Sequence, residues 1–161
     1  MEYQVRKAEL SDLMRIEEIY RFARRFMAEH GNPNQWGTTN PPTHQLLQNI
    51  ELGDLYVITD KTGIHGVFYF FIGEDPTYEI IDGQWHSASP YGTIHRIAGD
   101  GSGGILGTAV RFGKSKINHL RIDTHADNQV MQNAVAKQGF RECGTIYIAD
   151  GSPRIAYDLL F

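Results

Sequence analysis

The feature that most constrains the fold is a pair of consecutive strand-loop-helix units between residues 93 and 140. The first unit passes from a β-rich stretch at 93–98 into a glycine-rich loop, and then into a helix that ends near Lys116. Five of the nine residues in the loop, Gly99–Gly107, are glycine. Glycines let the main chain approach a ligand closely, and a helix N-terminus offers unpaired N–H groups to an anion. The first unit therefore predicts a site for a phosphate-bearing cofactor.

The second unit begins with a strand at 119–123 and continues into a helix over 127–138. Asn128 stands at the start of this helix. Gly139 follows its end, where a residue in the left-handed conformation is expected. Parallel strands need a crossover connection, most often a helix. The middle of the sheet is therefore predicted to contain parallel crossovers.

The chain before residue 93 predicts one strand, two helices and a β-hairpin. Residues 3–7 alternate apolar and charged side chains, as a half-buried strand does. Two β-rich runs, 55–59 and 64–72, are joined by a turn at Asp60–Gly63, which indicates a hairpin. The apolar residues of the two helices recur at spacings of three and four: Leu13, Ile16, Tyr20, Ala23 and Met27 in the first, and Leu46, Leu47 and Ile50 in the second.

Residues 73–91 are rich in turn formers and predict a surface insertion. Two closing strands, 144–149 and 154–160, complete the order of elements. This order predicts an α/β protein with a mixed sheet and helices on both faces. With 161 residues and no linker or repeat, the chain is expected to form a single domain over residues 1–161.

Composition excludes several classes of function. The formal net charge is −4, so a broad basic surface for nucleic acid is not indicated. No apolar run approaches the ~20 residues that span a bilayer, and no secretory signal begins the chain, so no membrane association and a cytoplasmic location are expected. The single Cys143 fits a reducing compartment. No cluster of cysteine and histidine has metal-ligand spacing, so no metal is predicted.

These two units resemble the acetyl-CoA site of the Gcn5-related N-acetyltransferase (GNAT) family, and the resemblance covers nearly the whole chain. The matching segments are Ile94–Ala98, Leu120–His125, Asp127–Asn128, Met131 and Gly139–Phe140. The resemblance implies a mostly antiparallel sheet of six to seven strands flanked by helices, in which two parallel strands part at a bulge. It further implies acetyl-CoA as acyl donor, held by Ile97, Ala98, Gly99, Ser102, Gly103, Gly104, Leu106, Gly107, Thr108, Asn128 and Met131.

The sequence departs from the family pattern at two places. The family loop usually carries a basic or glutamine residue at its start, whereas this loop has no Lys or Arg before Arg111. Many members have a tyrosine on the following helix that protonates the departing thiolate, and the matching residue here is Val135. The loop also fits the G-x-G-x-x-G pattern of dinucleotide-binding proteins, with Asp123 about 20 residues on. The short chain that remains and the preceding hairpin disfavour that reading, and a plain flexible turn is the other alternative.

His95 is the candidate general base, because it occupies a strand position where some family members carry a catalytic glutamate and imidazole suits proton transfer at neutral pH. A structural histidine bonded within the sheet is the alternative. Trp36, His125 and Tyr91 are candidate substrate contacts. For each of them, local bonding or ordinary packing is the competing interpretation.

The function predicted is direct transfer of acetyl from acetyl-CoA to a primary amine of a small molecule or peptide. An acyl-CoA-binding module with little or no catalysis is the alternative, motivated by Val135 and by the loop without a basic residue. The sequence names no acceptor. Exposed edges of the final hairpin would permit a homodimer.

Overall fold

The computed structural model describes residues 2–161. Two short 3-10 turns, Leu10–Asp12 and Pro76–Tyr78, supplement the regular elements. Among the residues described, no helix is both long and apolar enough to cross a bilayer. The regular elements are β1 Gln4–Lys7, α1 Leu13–Glu29, α2 Thr43–Leu52, β2 Leu55–Asp60, β3 Gly63–Ile72, β4 Asp82–Gly83, β5 Gly92–Gly99, α3 Ile105–Lys114, β6 His119–Thr124, α4 Gln129–Lys137, β7 Arg141–Tyr147 and β8 Pro153–Leu160.

A single mixed sheet organises these elements in the order β1-β2-β3-β5-β6-β8-β7-β4. Only β5 and β6 are parallel neighbours, and every other pair is antiparallel. The predicted fold class is confirmed. The sheet has eight strands where six to seven were expected, because the two-residue β4 adds to the edge at β7.

Helices cover both faces of the sheet, as the order of elements predicts. On one face, Ile105 and Ala109 of α3 and Val135 of α4 pack against strand residues such as Ile94 and Leu120. On the other face, α1 and α2 bury Ile16, Ile19, Tyr20 and Leu46 against Leu55 and Val57. Each fully buried side chain of this size contributes about 1.5–3 kcal/mol. The two helical layers therefore hold the sheet rigidly while its strand ends stay available for a site.

The segment 73–91 lies mostly at the surface, as its turn residues predict, but aromatic side chains anchor it to the sheet. Tyr78 and Tyr91 are buried in a small core with Ile146 and Ala156, and Trp85 packs against it. The aromatic side chains of the segment supply these apolar contacts, although most of its other residues are turn formers. Its strand β4 also pairs with Gly144 and Thr145 of β7, so part of the edge expected to be free for a partner chain is covered.

Candidate active site

The central feature of the site is a gap between two neighbouring strands. β5 and β6 pair only through Gly92 with Leu120 and Thr93 with Arg121. Beyond these two pairs the strands part, although β5 continues to Gly99 and β6 to Thr124. The predicted parting of these parallel strands is confirmed. Main-chain groups of β5 that face the gap therefore have no strand partner.

A β-bulge at Arg96 lies beside this gap. Tyr69 pairs with His95 and Val67 pairs with Ala98, so β5 has one extra residue between the two pairs. Arg96 takes a φ of 50°, which is uncommon for a residue other than glycine. A bulge of this kind bends its strand and increases the local twist. It therefore turns the end of β5 away from β6.

Two side chains from the helical layer fix the bulge. The hydroxyl of buried Tyr20 donates to the Arg96 carbonyl at 2.7 Å. Burial raises the pKa of the Tyr20 hydroxyl above its usual value, so this group stays protonated and remains a donor. The Arg96 guanidinium donates to Asn49 Oδ1 at 2.7 Å and lies 5.0 Å from the centre of the Tyr69 ring. Nothing in the sequence marks this arrangement.

A cavity of about 670 Å³ opens where the strands part. The loop between α1 and α2 forms one wall, and the segment 73–91 forms another. Strands β5 and β6 form the floor, and the turn between β7 and β8 closes the far side. The residues that carry the chemistry of this cavity are Trp36, Asp75, His95, Arg96, Asp123, Thr124, Asn128, Met131 and Arg154.

His95 stands in this cavity between two carboxylates. Its Nε2 is 2.8 Å from Asp75 Oδ2, and its Nδ1 is 3.6 Å from Asp123 Oδ2. Since a carboxylate accepts, the bond to Asp75 assigns the ring proton of neutral His95 to Nε2. Nδ1 then carries a lone pair that faces Asp123. His95 is thus oriented to take up a proton at Nδ1.

Hydrogen bonds hold both carboxylates in place. Burial alone would raise the pKa of the Asp75 carboxyl, but hydrogen bonds from His95 and Thr77 outweigh burial and lower this pKa to about 2. Asp123 Oδ2 accepts the Tyr78 hydroxyl at 2.6 Å. Burial and the neighbouring Asp123 charge raise the pKa of Tyr78 well above its usual value. Tyr78 therefore remains a donor that positions Asp123.

The glycine-rich loop provides the second part of the site. Within residues 2–161, the N–H groups of Gly103, Gly104, Ile105, Leu106 and Gly107 meet no hydrogen-bond acceptor. Two neighbouring amides are engaged, because Ser102 N–H donates to Asp100 Oδ1 and Thr108 N–H donates to the Gly104 carbonyl. The run of free donors therefore begins one residue after Ser102 and ends one residue before Thr108.

A basic side chain reaches this loop from inside α3. Arg111 Nη2 donates to Thr108 Oγ1 at 3.1 Å. A Cβ added to Gly107 would lie 3.5 Å from Arg111 Nη1 and 3.3 Å from Gln138 Nε2. Arg111 thus folds back towards the first turn of its helix. The loop lacks a basic residue in sequence, but it has one beside it in the fold.

The structure brings several of the predicted site residues to the cavity. Ile97, Asn128 and Met131 line it. Asn128 is also the N-cap of α4, since its Oδ1 accepts from Met131 N–H at 3.0 Å and its Nδ2 donates to Gln35 Oε1 at 3.1 Å. Trp36 lines the cavity and also packs edge-on against Tyr20, and its contact with a substrate stays a prediction.

Two predicted substrate contacts lie elsewhere. His125 is not on the cavity wall, and its Nδ1 accepts from Asp127 N–H at 2.9 Å. Tyr91, the last residue of the segment 73–91, is buried, and its hydroxyl accepts from Asp75 N–H at 2.7 Å. Tyr91 therefore supports Asp75 from behind. Local bonding, the competing interpretation for both residues, describes these contacts.

A second polar cluster lies outside the cavity and joins His86, Cys143 and Asp158. The sequence predicts no metal cluster, yet the ligand-type atoms of these three residues all lie within 4.8 Å of one another. Asp158 Oδ1 and Cys143 Sγ contact the same His86 nitrogen, at 2.7 and 3.3 Å. Because both contacts use one nitrogen, the ring cannot relay a proton from thiol to carboxylate. Burial and the Asp158 charge raise the pKa of Cys143 to about 12, so the thiol is not a nucleophile.

Comparisons with known proteins agree with this geometry. The sequence matches no protein-family model, and no curated protein matches it. The fold is similar to a GNAT-family acetyltransferase from Streptococcus agalactiae, with a TM-score of 0.86 and 27% identity over 99% of this chain and 95% of the other.

Two more distant structures match in fold alone. A GNAT-family acetyltransferase from Listeria monocytogenes has a TM-score of 0.70 and 22% identity, with 100% of this chain and 96% of the other covered. A ribosomal-protein-alanine N-acetyltransferase from Brucella melitensis has a TM-score of 0.62 and 17% identity, with 98% and 99% covered. Together with the parted strands and the free amides of the glycine-rich loop, the similarity to the Streptococcus agalactiae structure supports membership of the GNAT family of acyltransferases.

Proposed function

We propose that this protein transfers acetyl from acetyl-CoA to a primary amine of a small molecule or peptide, by direct attack in a ternary complex. The observation that carries the proposal is the cleft between β5 and β6. His95 and two carboxylates stand at one end of this cleft, and free amides stand at the start of α3. Membership of the GNAT family supports acetyl transfer and leaves the acceptor open.

The residues along the cleft fit acetyl-CoA. The free amides of Gly103–Gly107 would bind its pyrophosphate at the positive end of the α3 dipole, and Arg111 would add a charge nearby. Unpaired main chain at Ile97–Gly99 would bond the pantetheine arm as an added strand does. Asn128 and Met131 line the cleft beside it. When bound, acetyl-CoA supplies a thioester whose C–S bond breaks as the C–N bond forms, and CoA leaves as the thiolate.

The acceptor end must provide a neutral amine. An alkyl amine has a pKa near ~10 and arrives as an ammonium, which Asp123 attracts. Asp123 Oδ2 and His95 Nδ1 lie 3.6 Å apart, close enough for one ammonium nitrogen to contact both. Nδ1 takes the proton because Nε2 already carries one, which it donates to Asp75 Oδ2 across a distance of 2.8 Å between the two heavy atoms. The resulting imidazolium is stabilised by a carboxylate on each side.

One observation favours the alternative of a binding module without catalysis. Val135 is fully buried in the core between α3, α4 and the sheet, where many family members carry an acid for the leaving thiolate. A thiol has a pKa near ~8.5 and leaves tolerably without an acid. Acetyl transfer therefore remains the main proposal, and a measurement of turnover distinguishes it from a binding module without catalysis.

Thermal shift and thiol release together test the proposal. Acetyl-CoA at 100 times its dissociation constant should add about 2.7 kcal/mol to the free energy of unfolding. NAD should add nothing, and stabilisation by NAD alone would overturn the assignment. Release of free CoA thiol with an amine library then measures turnover. Stabilisation by acetyl-CoA with no thiol release from any amine, amino acid or peptide would identify a binding module.

A further inference from the structure

We propose that the acceptor carries a carboxylate close to its reactive amine, and that Arg154 binds this carboxylate. The inference rests on the proposed function and names the substrate class of the same site. The acceptor would be a small zwitterion such as a free amino acid, instead of a simple alkylamine or a polyamine. The cavity wall contains a cation, Arg154, that has no carboxylate partner within residues 2–161.

Arg154 is a buried guanidinium with few partners. It begins β8, lines the cavity and is only 7% exposed. Its Nη1 donates to the Pro153 carbonyl at 2.9 Å, and within residues 2–161 this is its one hydrogen bond. No carboxylate of the described chain comes within 4.0 Å of it. The other donors of its planar fork have no protein partner and are not fully sealed from solvent, and the residue lines the cavity.

The other two arginines of this region have partners. Arg121 lies between the rings of Trp85 and Tyr91, 3.9 Å from the centre of each, and donates to the Ser87 carbonyl. Arg96 donates to Asn49 and lies over Tyr69. A buried charge without a partner is costly, so residues of this kind are normally paired. Of these three arginines, Arg154 is the one whose fork remains open to a ligand.

The nearest acid of the same turn does not fill this role. Asp150 also lines the cavity, but it is exposed and its Oδ1 accepts from Ser152 N–H at 2.8 Å. Hydrogen bonds from Ser152 and, to a smaller extent, the Arg154 charge lower the pKa of Asp150, but no Asp150 oxygen lies within 4.0 Å of the guanidinium. An anion in direct contact with Arg154 would therefore have to come from a bound molecule. A carboxylate matches the guanidinium fork with two parallel hydrogen bonds.

The position of Arg154 decides which molecule supplies that anion. Asp123 pairs with Ala156 across β6 and β8, and Arg154 precedes Ala156 by two residues. Side chains two residues apart on a strand share a face, about 6.6–6.8 Å from each other. Arg154 is therefore on the face of the sheet that carries Asp123 and His95. The free amides at the start of α3, which suit the phosphates of the donor, pack with the opposite face.

The cavity is thus negative at one end and positive at the other. Asp75 and Asp123 would hold the ammonium of an acceptor beside His95, while Arg154 would hold its carboxylate. A polyamine would place a second cation against Arg154 and be repelled. An acceptor amine whose other substituents carry no charge would leave the guanidinium unpaired. A zwitterion satisfies both ends in a cavity of about 670 Å³.

Matched acceptors test this inference directly. Each amino acid is compared with its decarboxylated amine and with its amide in the thiol-release assay. The carboxylate form should have the higher kcat/KM by about 10- to 100-fold, the range for a hydrogen bond to a charged group. Arg154→Gln should abolish this preference mainly through KM, and Arg154→Lys should restore part of it. Arg141→Gln, at an exposed position on β7, is the control and should change nothing.

The outcomes separate this inference from the proposed function. If wild type and Arg154→Gln acetylate amines and amino acids equally, the inference is wrong and acetyl transfer stands. If no acceptor turns over, the binding of an amino acid to wild type and to Arg154→Gln, measured by calorimetry, still tests the inference. Zwitterion binding by wild type that Arg154→Gln loses would support the inference, and equal binding by both would overturn it. Thermal melts of both variants confirm that each is folded.

Discussion

Two histidines on the same side of the sheet form similar pairs but serve different ends. His95 is 2.8 Å from Asp75, and His86 is 2.7 Å from Asp158. The other nitrogen of His95 faces Asp123 and the cavity. The contacts of His86 instead join the segment 73–91 to Cys143 of β7 and Asp158 of β8. His86 is exposed at the surface and does not line the cavity, so of these two histidine-aspartate pairs only the one at His95 lies where a substrate could bind.

The largest expected effect separates the two histidines by turnover. His95→Gln should lower kcat by about 10²–10⁴, because it removes the proton acceptor. His86→Gln should leave kcat per folded molecule unchanged and lower the melting temperature, because it cuts a tie between the segment and the sheet. Thiol release and thermal melts measure both variants. Equal kinetics for His95→Gln and wild type would remove His95 from the role of base.

The next largest effect is expected on stability, where variants of Asp158 and Asp75 are compared. Asp158 is 1% exposed and accepts both the main-chain N–H and the ring of His86. Asp158→Ala should cost about 3 kcal/mol in urea unfolding, because it removes the charged acceptor of two hydrogen bonds from His86. Asp75→Ala, at the rim of the cavity, should lower the free energy of unfolding less than Asp158→Ala does, and should lower kcat more. A larger loss of stability for Asp75→Ala would reverse the comparison.

Acid titration sharpens the difference at Asp75. The pKa of this carboxyl is lowered from 3.8 to about 2 in the folded protein. A lowered pKa contributes stability above the unfolded value, and this contribution disappears as pH falls from about 4 to about 2. Asp75→Asn should therefore be about 2 kcal/mol less stable than wild type at pH 7 and equal to it near pH 2. A stability gap that stays constant with pH would contradict this account.

The smallest expected effect concerns the hydroxyl behind Asp123. Tyr78→Phe removes the donor at 2.6 Å from Asp123 Oδ2 and should reduce kcat/KM by about tenfold, equivalent to roughly 1.4 kcal/mol. Tyr147→Phe removes an exposed hydroxyl bonded to Asp82 and provides the matched control, with unchanged kinetics. If both variants behave alike, Asp123 needs no positioning by Tyr78.

Local patterns predicted much of the fold. Alternation, helical spacing and glycine positions depend on near neighbours, so the order of elements and the free amides of the glycine-rich loop could be predicted from sequence. The gap between β5 and β6 was implied by the family resemblance and not by these patterns. His95 was predicted to be the base, and the structure places it in the cavity. Its role stays a prediction.

The partners of His95 could not be predicted, because they depend on contacts between distant segments. Asp75 comes from a segment whose turn formers suggested a surface loop, and Tyr78 is 45 residues from Asp123 in sequence. Arg154 lies at the start of β8, next to a turn whose composition indicates no ligand. The bulge at Arg96 depends on a hydroxyl 76 residues away in sequence. Such pairings require the assembled sheet.

The two residue pairs that join β5 to β6 have a mechanical consequence. Within residues 2–161 they are the only strand pairing between one half-sheet, β1-β2-β3-β5, and the other, β6-β8-β7-β4. The two half-sheets are thus joined by a short paired segment, and a molecule bound between the parted strands would contact both of them. Occupancy should stiffen both halves together, and slower amide hydrogen exchange on each side would register it.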